Sequence, residues 1–239
     1  MFDNHFEVFL ADTQESRNIH YSIRYNVYCE EMGFENKDDF PMEMEYDEHD
    51  EYSTHFIVRH RHTGQWVGAM RLIYRKSRPL PVEQYCTLHE PIHSSAHQHS
   101  VELSRLCVIK EIRRRYSGNE GPEIQESDKI RLLHNDQRTN RQIIWGLLNA
   151  ATEYCYSNKI PNWYFLTTNS LAKVLRKGGF DMSRIGEPCN HKGERYPFKK
   201  DVVDTYLNES WRDNFKVGYR KFSKLNLPES LESLDVMAA

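Results

Sequence analysis

The fold of this chain is decided within residues 101–108, which read VELSRLCV from Val101 to Val108. The apolar, β-forming residues predict a buried strand, yet this strand carries a glutamate, Glu102, and an arginine, Arg105. Side chains alternate between the faces of a regular strand, so these two charges would lie on opposite faces. They share one site only if the strand is bulged between them, and bulges often lie beside active sites. Because buried charges are costly unless they are paired, the segment predicts charged partners elsewhere in the chain.

The segment before this strand predicts a β-hairpin. Residues 55–59 and 65–74 have the composition of two strands, and Thr63-Gly64 lies in the turn between them. Both faces of the second strand are largely apolar, so we expect a central strand on which Arg71 needs a carboxylate partner. The acidic, irregular segment 35–52 supplies candidates.

The remaining segments predict helices around a sheet. Apolar periodicity predicts helices over 14–34, 140–157 and 201–224, and a buried strand over 162–168. Asn169 or Ser170 is expected to cap a further helix that ends at Gly178-Gly179-Phe180. The polar stretch at 116–140 is interpreted as an insertion. We therefore expect an α+β fold whose mixed, mostly antiparallel sheet is flanked by helices. One domain would cover 1–200, and a C-terminal helical appendage and tail would cover 201–239.

Composition is typical of a globular protein. The chain has 239 residues and a net charge of -3, which gives no signal for nucleic-acid binding. No stretch approaches the ~20 apolar residues of a transmembrane helix, and the first residues lack the pattern of a signal peptide. The five cysteines are scattered and form no CxxC motif, which predicts reduced thiols and a cytoplasmic location.

Two features that suggest other chemistry are discounted. Four histidines, His89, His93, His97 and His99, partly follow helical spacing, but Pro91 lies among them and no carboxylate follows at ligand spacing. We therefore predict a solvated loop and no metal site. Cys107 lacks an evident activating partner, so it is interpreted as a small buried residue.

Seven charged residues follow a fixed order between residues 24 and 105. They are an arginine on the first helix, an acidic E-x-D-x-x-D loop, an arginine after the hairpin and an E-L-S-R strand: Arg24, Glu45, Asp47, Asp50, Arg71, Glu102 and Arg105. This pattern resembles the acyl-homoserine-lactone synthases and N-acyl amino acid synthases of the GNAT fold. It is most similar to the acyltransferases associated with the PEP-CTERM/exosortase system. Residues 169–180 also resemble the GNAT segment in which a helix leads into a Gly-Phe strand start.

The resemblance implies transfer of an acyl chain from acyl carrier protein or acyl-CoA to the amine of an amino acid or similar small molecule. No permanently bound cofactor is implied. Glu102 fits the general base that takes the amine proton, and Ser104 and Arg105 would shape the thioester site. The predicted substrate-binding residues are Arg24, Tyr28, Phe34, Glu45, Asp47, Asp50 and Arg71. Of these, Tyr28 and Phe34 replace the Phe and Trp that are typical of an aromatic pair near the S-adenosylmethionine pocket of the synthases.

Three alternatives stay open. The chain would be a true acyl-homoserine-lactone synthase if it consumed S-adenosylmethionine, or a non-catalytic acyl-binding module if it bound acyl ligand without turnover. The charged residues would also be explained as a buried ion-pair network that only fixes the fold.

Basic residues suggest the partners. Arg113, Arg114 and Arg115 follow the charged strand and predict a site for the phosphopantetheine arm of acidic acyl carrier protein. On the last predicted helix, Arg212, Lys216, Arg220 and Lys224 oppose Trp211, Phe215, Tyr219 and Phe222. Residues 211–224 would therefore contact a membrane or carrier protein, or form a packed helix with a solvated face. An acyl tunnel is expected between residues 85–108 and 143–166.

Overall fold

Nine strands form one mixed sheet within the part of the chain that the computed structural model describes, which is residues 2–75, 78–92, 99–110, 126–208, 215 and 217–225. Within 126–138 only the backbone is described. The strands are β1 (Phe6–Leu10), β2 (Ser53–His60), β3 (Trp66–Tyr74), β4 (Val101–Val108), β5 (Asn162–Thr167), β6 (Ser183–Arg184), β7 (Cys189–Asn190), β8 (Glu194–Asp201) and β9 (Arg220–Lys221).

The strand order is β6-β8-β5-β4-β3-β2-β1-β9, and β7 pairs with β8. Neighbouring strands are antiparallel except β4 with β5 and β1 with β9, which are parallel. The expected α+β fold with a mixed, mostly antiparallel sheet flanked by helices is therefore confirmed, as is the central position of β3.

Helices cover this sheet. They are α1 (Gln14–Tyr25), which continues as a π-helical turn (Asn26–Glu31), α2 (Pro81–Tyr85), α3 (Glu126–Ser157), α4 (Asn169–Lys177) and α5 (Val202–Tyr206). Both faces of β3 are buried, and α1 and α3 both contact it. In the described residues, no helix has the length and apolarity that crossing a membrane requires.

The starts of two helices differ from the prediction. Helix α3 begins at Glu126, so the second half of the stretch interpreted as a polar insertion is helical. The polar composition did not exclude a helix there, because a helix in contact with solvent can lack an apolar stripe. Residues 111–125 lie outside the described part. The N-cap of α4 is Thr168, whose hydroxyl accepts the N–H of Leu171, since the backbone is still extended at this residue and Asn169 is already helical.

The bulge predicted in β4 is present. Arg71 pairs with Ser104 and Ala69 pairs with Cys107, so two residues of β4 lie opposite the single residue between them on β3. Arg105 is one of the two, and its φ of 52° is in the left-handed region. The bulge therefore changes the direction of the Arg105 side chain from the one that a regular strand would give it, as expected if Arg105 is to reach a carboxylate partner.

The predicted C-terminal helix over 201–224 is wrong. In the described part of this range, the α-helix covers Val202–Tyr206, Arg220–Lys221 instead forms the edge strand β9, parallel to β1, and Phe222–Lys224 is a single 3-10 turn. Phe215, Tyr219 and Phe222 pack against the main core, because the exposed edge of β1 gains backbone hydrogen bonds and the aromatic rings gain burial there. The aromatic side of residues 211–224 is thus covered by the protein itself where it is described; Trp211, Arg212 and Lys216 lie outside the described residues.

The prediction that all cysteines are reduced is also wrong. Cys86 at the end of α2 forms a disulfide with Cys189 on β7. Among the described residues Cys29, Cys107 and Cys155 are free and buried. The two bonded cysteines are 103 residues apart, and sequence alone does not show that the fold brings them together.

Candidate active site

Six of the predicted charged residues form a closed ring of alternating charge. Arg24 contacts Glu45 at 2.5 Å and Asp50 at 2.6 Å, and Arg71 contacts Asp50 at 2.7 Å and Asp47 at 2.6 Å. Arg105 closes the ring, with its Nη2 at 3.0 Å from both Glu45 and Asp47. Each arginine lies between two carboxylates and each carboxylate between two arginines, so the ring has no net charge.

Four separate segments of the chain assemble the ring. Arg24 is on α1, Arg71 on β3 and Arg105 on the bulge of β4, while the carboxylates come from the acidic loop before β2. Arg24 and Arg71 are almost fully buried, at 0% and 1% exposure. The contact between Arg71 and Asp47 is bidentate, with distances of 2.6 and 2.7 Å, which fixes the orientation of both side chains.

Electrostatics keep the carboxylates of the ring ionised. Burial by itself would raise the pKa of Asp50, but the hydrogen bond from His55 and the charges of Arg24 and Arg71 hold that pKa well below its usual value. For Asp47, burial is likewise outweighed by the hydrogen bonds and charge of Arg71, which lower its pKa to about 2. The ring is therefore fully charged at any pH of functional interest.

Glu102 lies outside the ring, and its pKa is raised whereas the pKa values of Asp47 and Asp50 are lowered. It is 2% exposed, and its Oε2 accepts the backbone N–H of Val82 at 2.8 Å. Burial raises its pKa to about 8, and the hydrogen bond from Val82 and the charge of Arg71 only partly oppose this effect. Glu102 is thus the carboxyl group of the site that gains and loses a proton near neutral pH.

A cavity of about 610 Å³ opens beside Glu102, where β4 and β5 separate. The parallel register between these strands ends at the pair Glu102 and Tyr164, and the residues that follow on both strands line the cavity. Ser104 and Arg105 line it, as do Tyr28 and Phe34, whose rings stack with centroids 6.5 Å apart. Its inner wall is apolar and is formed by Ile144, Leu148, Phe165, Leu171, Leu175 and Phe180.

The cavity wall agrees with the predicted tunnel between residues 85–108 and 143–166 and extends it into α4. Arg113, Arg114 and Arg115, the predicted carrier-binding cluster, lie outside the described residues.

Cys107 lines the cavity, but burial raises the pKa of its thiol to about 12, which agrees with its interpretation as an inert buried residue. In the described part of the chain, no group of three or more His, Cys, Asp or Glu side chains is arranged to hold a metal ion.

Several residues of the site were not predicted. His55 on β2 contacts Asp50 at 3.0 Å and was interpreted only as a strand residue. Glu35 pairs with Arg105 at 3.3 Å and also with Lys192, which is 157 positions away in sequence. Their positions depend on strand register and long-range folding. A histidine in a buried strand is the one local signal for His55.

Comparisons with known proteins agree with this architecture. Residues 23–118, which include all seven predicted charges, match the family model of the acetyltransferase (GNAT) domain. The CoA-dependent acyl-homoserine lactone synthase BjaI, solved with MTA, superposes with a TM-score of 0.61 at 16% identity over 91% of this chain and 93% of that chain. The AHL synthase LasI gives 0.56 at 19% identity over 90% and 97%.

A third solved structure, TofI in a ternary complex with an inhibitor and MTA, gives a TM-score of 0.55 at 19% identity over 82% of this chain and 91% of that chain. No curated protein matches the chain. The fold is that of the GNAT domain.

Proposed function

We propose that this chain is an N-acyltransferase that moves an acyl group from a thioester, carried by acyl carrier protein or coenzyme A, to the amine of an amino acid or similar small molecule. The observation that carries the proposal is the position of Glu102. A buried carboxyl with a pKa of about 8 lies at the point where β4 and β5 separate, beside a cavity with an apolar inner wall.

The chemistry requires a neutral amine. Amino acid amines are mostly protonated near pH 7, so a base must take a proton before or during attack on the thioester carbonyl. Ionised Glu102 accepts this proton directly or through one water. The neutral amine nitrogen then bonds to the carbonyl carbon, the carbon–sulfur bond breaks, and the nitrogen loses a second proton. Of the two protons that leave the nitrogen, one is passed to the leaving thiolate and the other goes to solvent. A base whose pKa is near the working pH can both accept a proton from the amine and release it afterwards.

The cavity supplies the binding of the acyl chain. Each methylene buried against the apolar wall contributes about 0.8 kcal/mol, so a cavity of about 610 Å³ favours a medium or long chain over acetyl. Backbone N–H groups of the bulged segment 103–106 would stabilise the oxyanion. We further propose that Arg113, Arg114 and Arg115 bind the carrier, and the link to exosortase-associated enzymes stays a prediction from residues alone.

A second function is favoured by one observation. The solved structures of BjaI and TofI contain MTA, and the chain shares their fold; Tyr28 and Phe34 stack at the cavity, and the family resemblance implies an aromatic pair near S-adenosylmethionine. Under this alternative the acceptor is S-adenosylmethionine and the product is an acyl-homoserine lactone. Release of methylthioadenosine would identify that reaction.

The test uses purified protein with decanoyl-CoA or decanoyl carrier protein and a panel of amino acids, with S-adenosylmethionine in a separate reaction. Thiol release and mass spectrometry of products are followed together. The free cysteines of the described part of the chain are buried, which keeps the background of a thiol reagent low. An N-acyl product that is absent with Glu102→Gln at equal folded concentration supports the proposal. Binding of one acyl ligand per chain without turnover on any amine would refute it and favour the acyl-binding module.

A further inference from the structure

The hairpin formed by β7 and β8 brings cations to the mouth of the cavity. His191, Lys192 and Arg195 all line it. The turn is fixed in place by the disulfide at Cys189 and by Tyr85, whose ring stacks on His191 with centroids 4.0 Å apart. Lys192 also donates to the carbonyl of Phe34, which joins the turn to the loop on the far side of the mouth. These side chains are therefore held beside the site.

Charge balance separates Arg195 from the other cations of the site. The three arginines of the ring are each engaged by two or more carboxylates, and two of their remaining nitrogens, Arg24 Nη2 and Arg71 Nε, are buried without a hydrogen-bond partner. Lys192 is paired with Glu35. Among the residues that the structure describes, Arg195 has no carboxylate partner, and its Nη1 donates only to the carbonyl of Glu194 at 3.1 Å.

The charges at the mouth of the cavity also act on His191. Burial lowers the pKa of His191, and the charges of Lys192, Arg105 and Arg195 lower it further, opposed by Glu35. Because Lys192 and Arg105 are paired with carboxylates, Arg195 is the described cation at the mouth whose charge is left to bind an anion. A guanidinium binds a carboxylate through two parallel hydrogen bonds.

We propose that Arg195 binds the carboxylate of the amine acceptor while the amine faces Glu102. This inference rests on the proposed function and adds the chemical class of the acceptor, an amino acid with a free carboxylate. The arginines of the ring are not expected to have this role, because their charge is already neutralised within the ring.

The test compares the binding of acids and esters by calorimetry. The probes are the N-decanoyl derivatives of glycine, β-alanine and 4-aminobutyrate, each as the free acid and as the methyl ester. The three amino acids differ in the number of carbons between nitrogen and carboxylate, so one of them can match the distance between the amine position at Glu102 and the carboxylate position at Arg195. In the wild-type protein at least one acid should bind about tenfold or more tightly than its ester, the preference expected for one charge-assisted contact.

Three variants assign this preference to a residue. Arg195→Gln should remove it, Arg195→Lys should keep part of it, and Arg17→Gln on α1, outside the cavity lining, should leave it unchanged. Because the one described hydrogen bond of the Arg195 side chain goes to a neighbouring backbone carbonyl, Arg195→Gln should also unfold at the wild-type temperature.

The outcomes distinguish this inference from the proposed function. If acids and esters bind equally to the wild type, or if Arg195→Gln keeps the full preference, the carboxylate site is refuted while the acyltransferase stands. A variant that loses affinity for decanoyl-CoA alone would assign Arg195 to the phosphates of the donor and also refute it. If neither acids nor esters bind and no acyl transfer occurs, the proposed function itself fails.

Discussion

The raised pKa of Glu102 predicts that Glu102→Gln stabilises the protein increasingly as the pH rises. Between the ordinary glutamate pKa of 4.5 and about 8, the folded state keeps a proton that the unfolded state has lost. The wild-type free energy of unfolding therefore falls with rising pH in this window. At about 1.4 kcal/mol per pH unit, the full difference is up to about 5 kcal/mol. Glutamine is neutral, nearly isosteric and still able to accept the N–H of Val82. The free energy of unfolding of the variant therefore does not undergo this fall with rising pH.

Urea unfolding of both proteins at pH 5, 6, 7, 8 and 9 measures the effect. The quantity of interest is the difference in free energy of unfolding between variant and wild type, because all other titrating groups cancel. This difference should rise from pH 5 to 8 in favour of Glu102→Gln and level off above 8. Glu15→Gln, in the exposed first turn of α1, is the matched control and should show no such trend. A difference for Glu102→Gln that is independent of pH would show that Glu102 ionises normally, and the argument for a poised base would be lost.

Four further predictions follow from the site. The kcat of acyl transfer should rise with pH and reach a plateau above about 8, because Glu102 acts in its ionised form, and Glu102→Gln should lower kcat by about 10²–10⁴-fold in the thiol-release assay. Arg24→Met should destabilise the fold by about 3–5 kcal/mol in urea, since Glu45 and Asp50 each lose one of two arginine partners and the buried ring is left with an uncompensated negative charge. Replacing Cys86 and Cys189 by serine opens a loop of 103 residues, which should cost at most about 5 kcal/mol in thermal unfolding and weaken the preference for acids over esters. Ile144→Trp should shift donor preference to shorter chains in competition assays, with about 0.8 kcal/mol of donor binding lost for each methylene excluded.

The central part of the fold was predictable because local patterns dictate it. The hairpin follows from alternation and a Thr-Gly turn, and the bulge in β4 follows from the cost of burying Glu102 and Arg105 without partners. The same cost required carboxylates near Arg71, and the acidic loop held the nearest candidates. These inferences succeed because each depends on residues close in sequence or on the need of a buried charge for a partner.

Predictions failed where long-range contacts override local patterns. The four-residue spacing at 211–224 fits a helix, but the described residues there instead complete the edge of β1 and bury their rings against the core. The pairing of Cys86 with Cys189 and of Glu35 with Lys192 joins segments more than 100 residues apart. Such contacts depend on how loops cross over the sheet, and the residues close in sequence do not indicate that crossing.

The bulge in β4 connects the stability of the ring to the chemistry of Glu102. A regular strand would direct Arg105 to the face opposite Glu102, and the ring would then hold three carboxylates with two arginines. The uncompensated negative charge would lie near Glu102, which already senses the charge of Arg71, and it would raise the pKa of Glu102 above about 8. The base would then be protonated at neutral pH. By placing Arg105 in the ring, the bulge makes the ring neutral and leaves burial as the main control on the proton of Glu102.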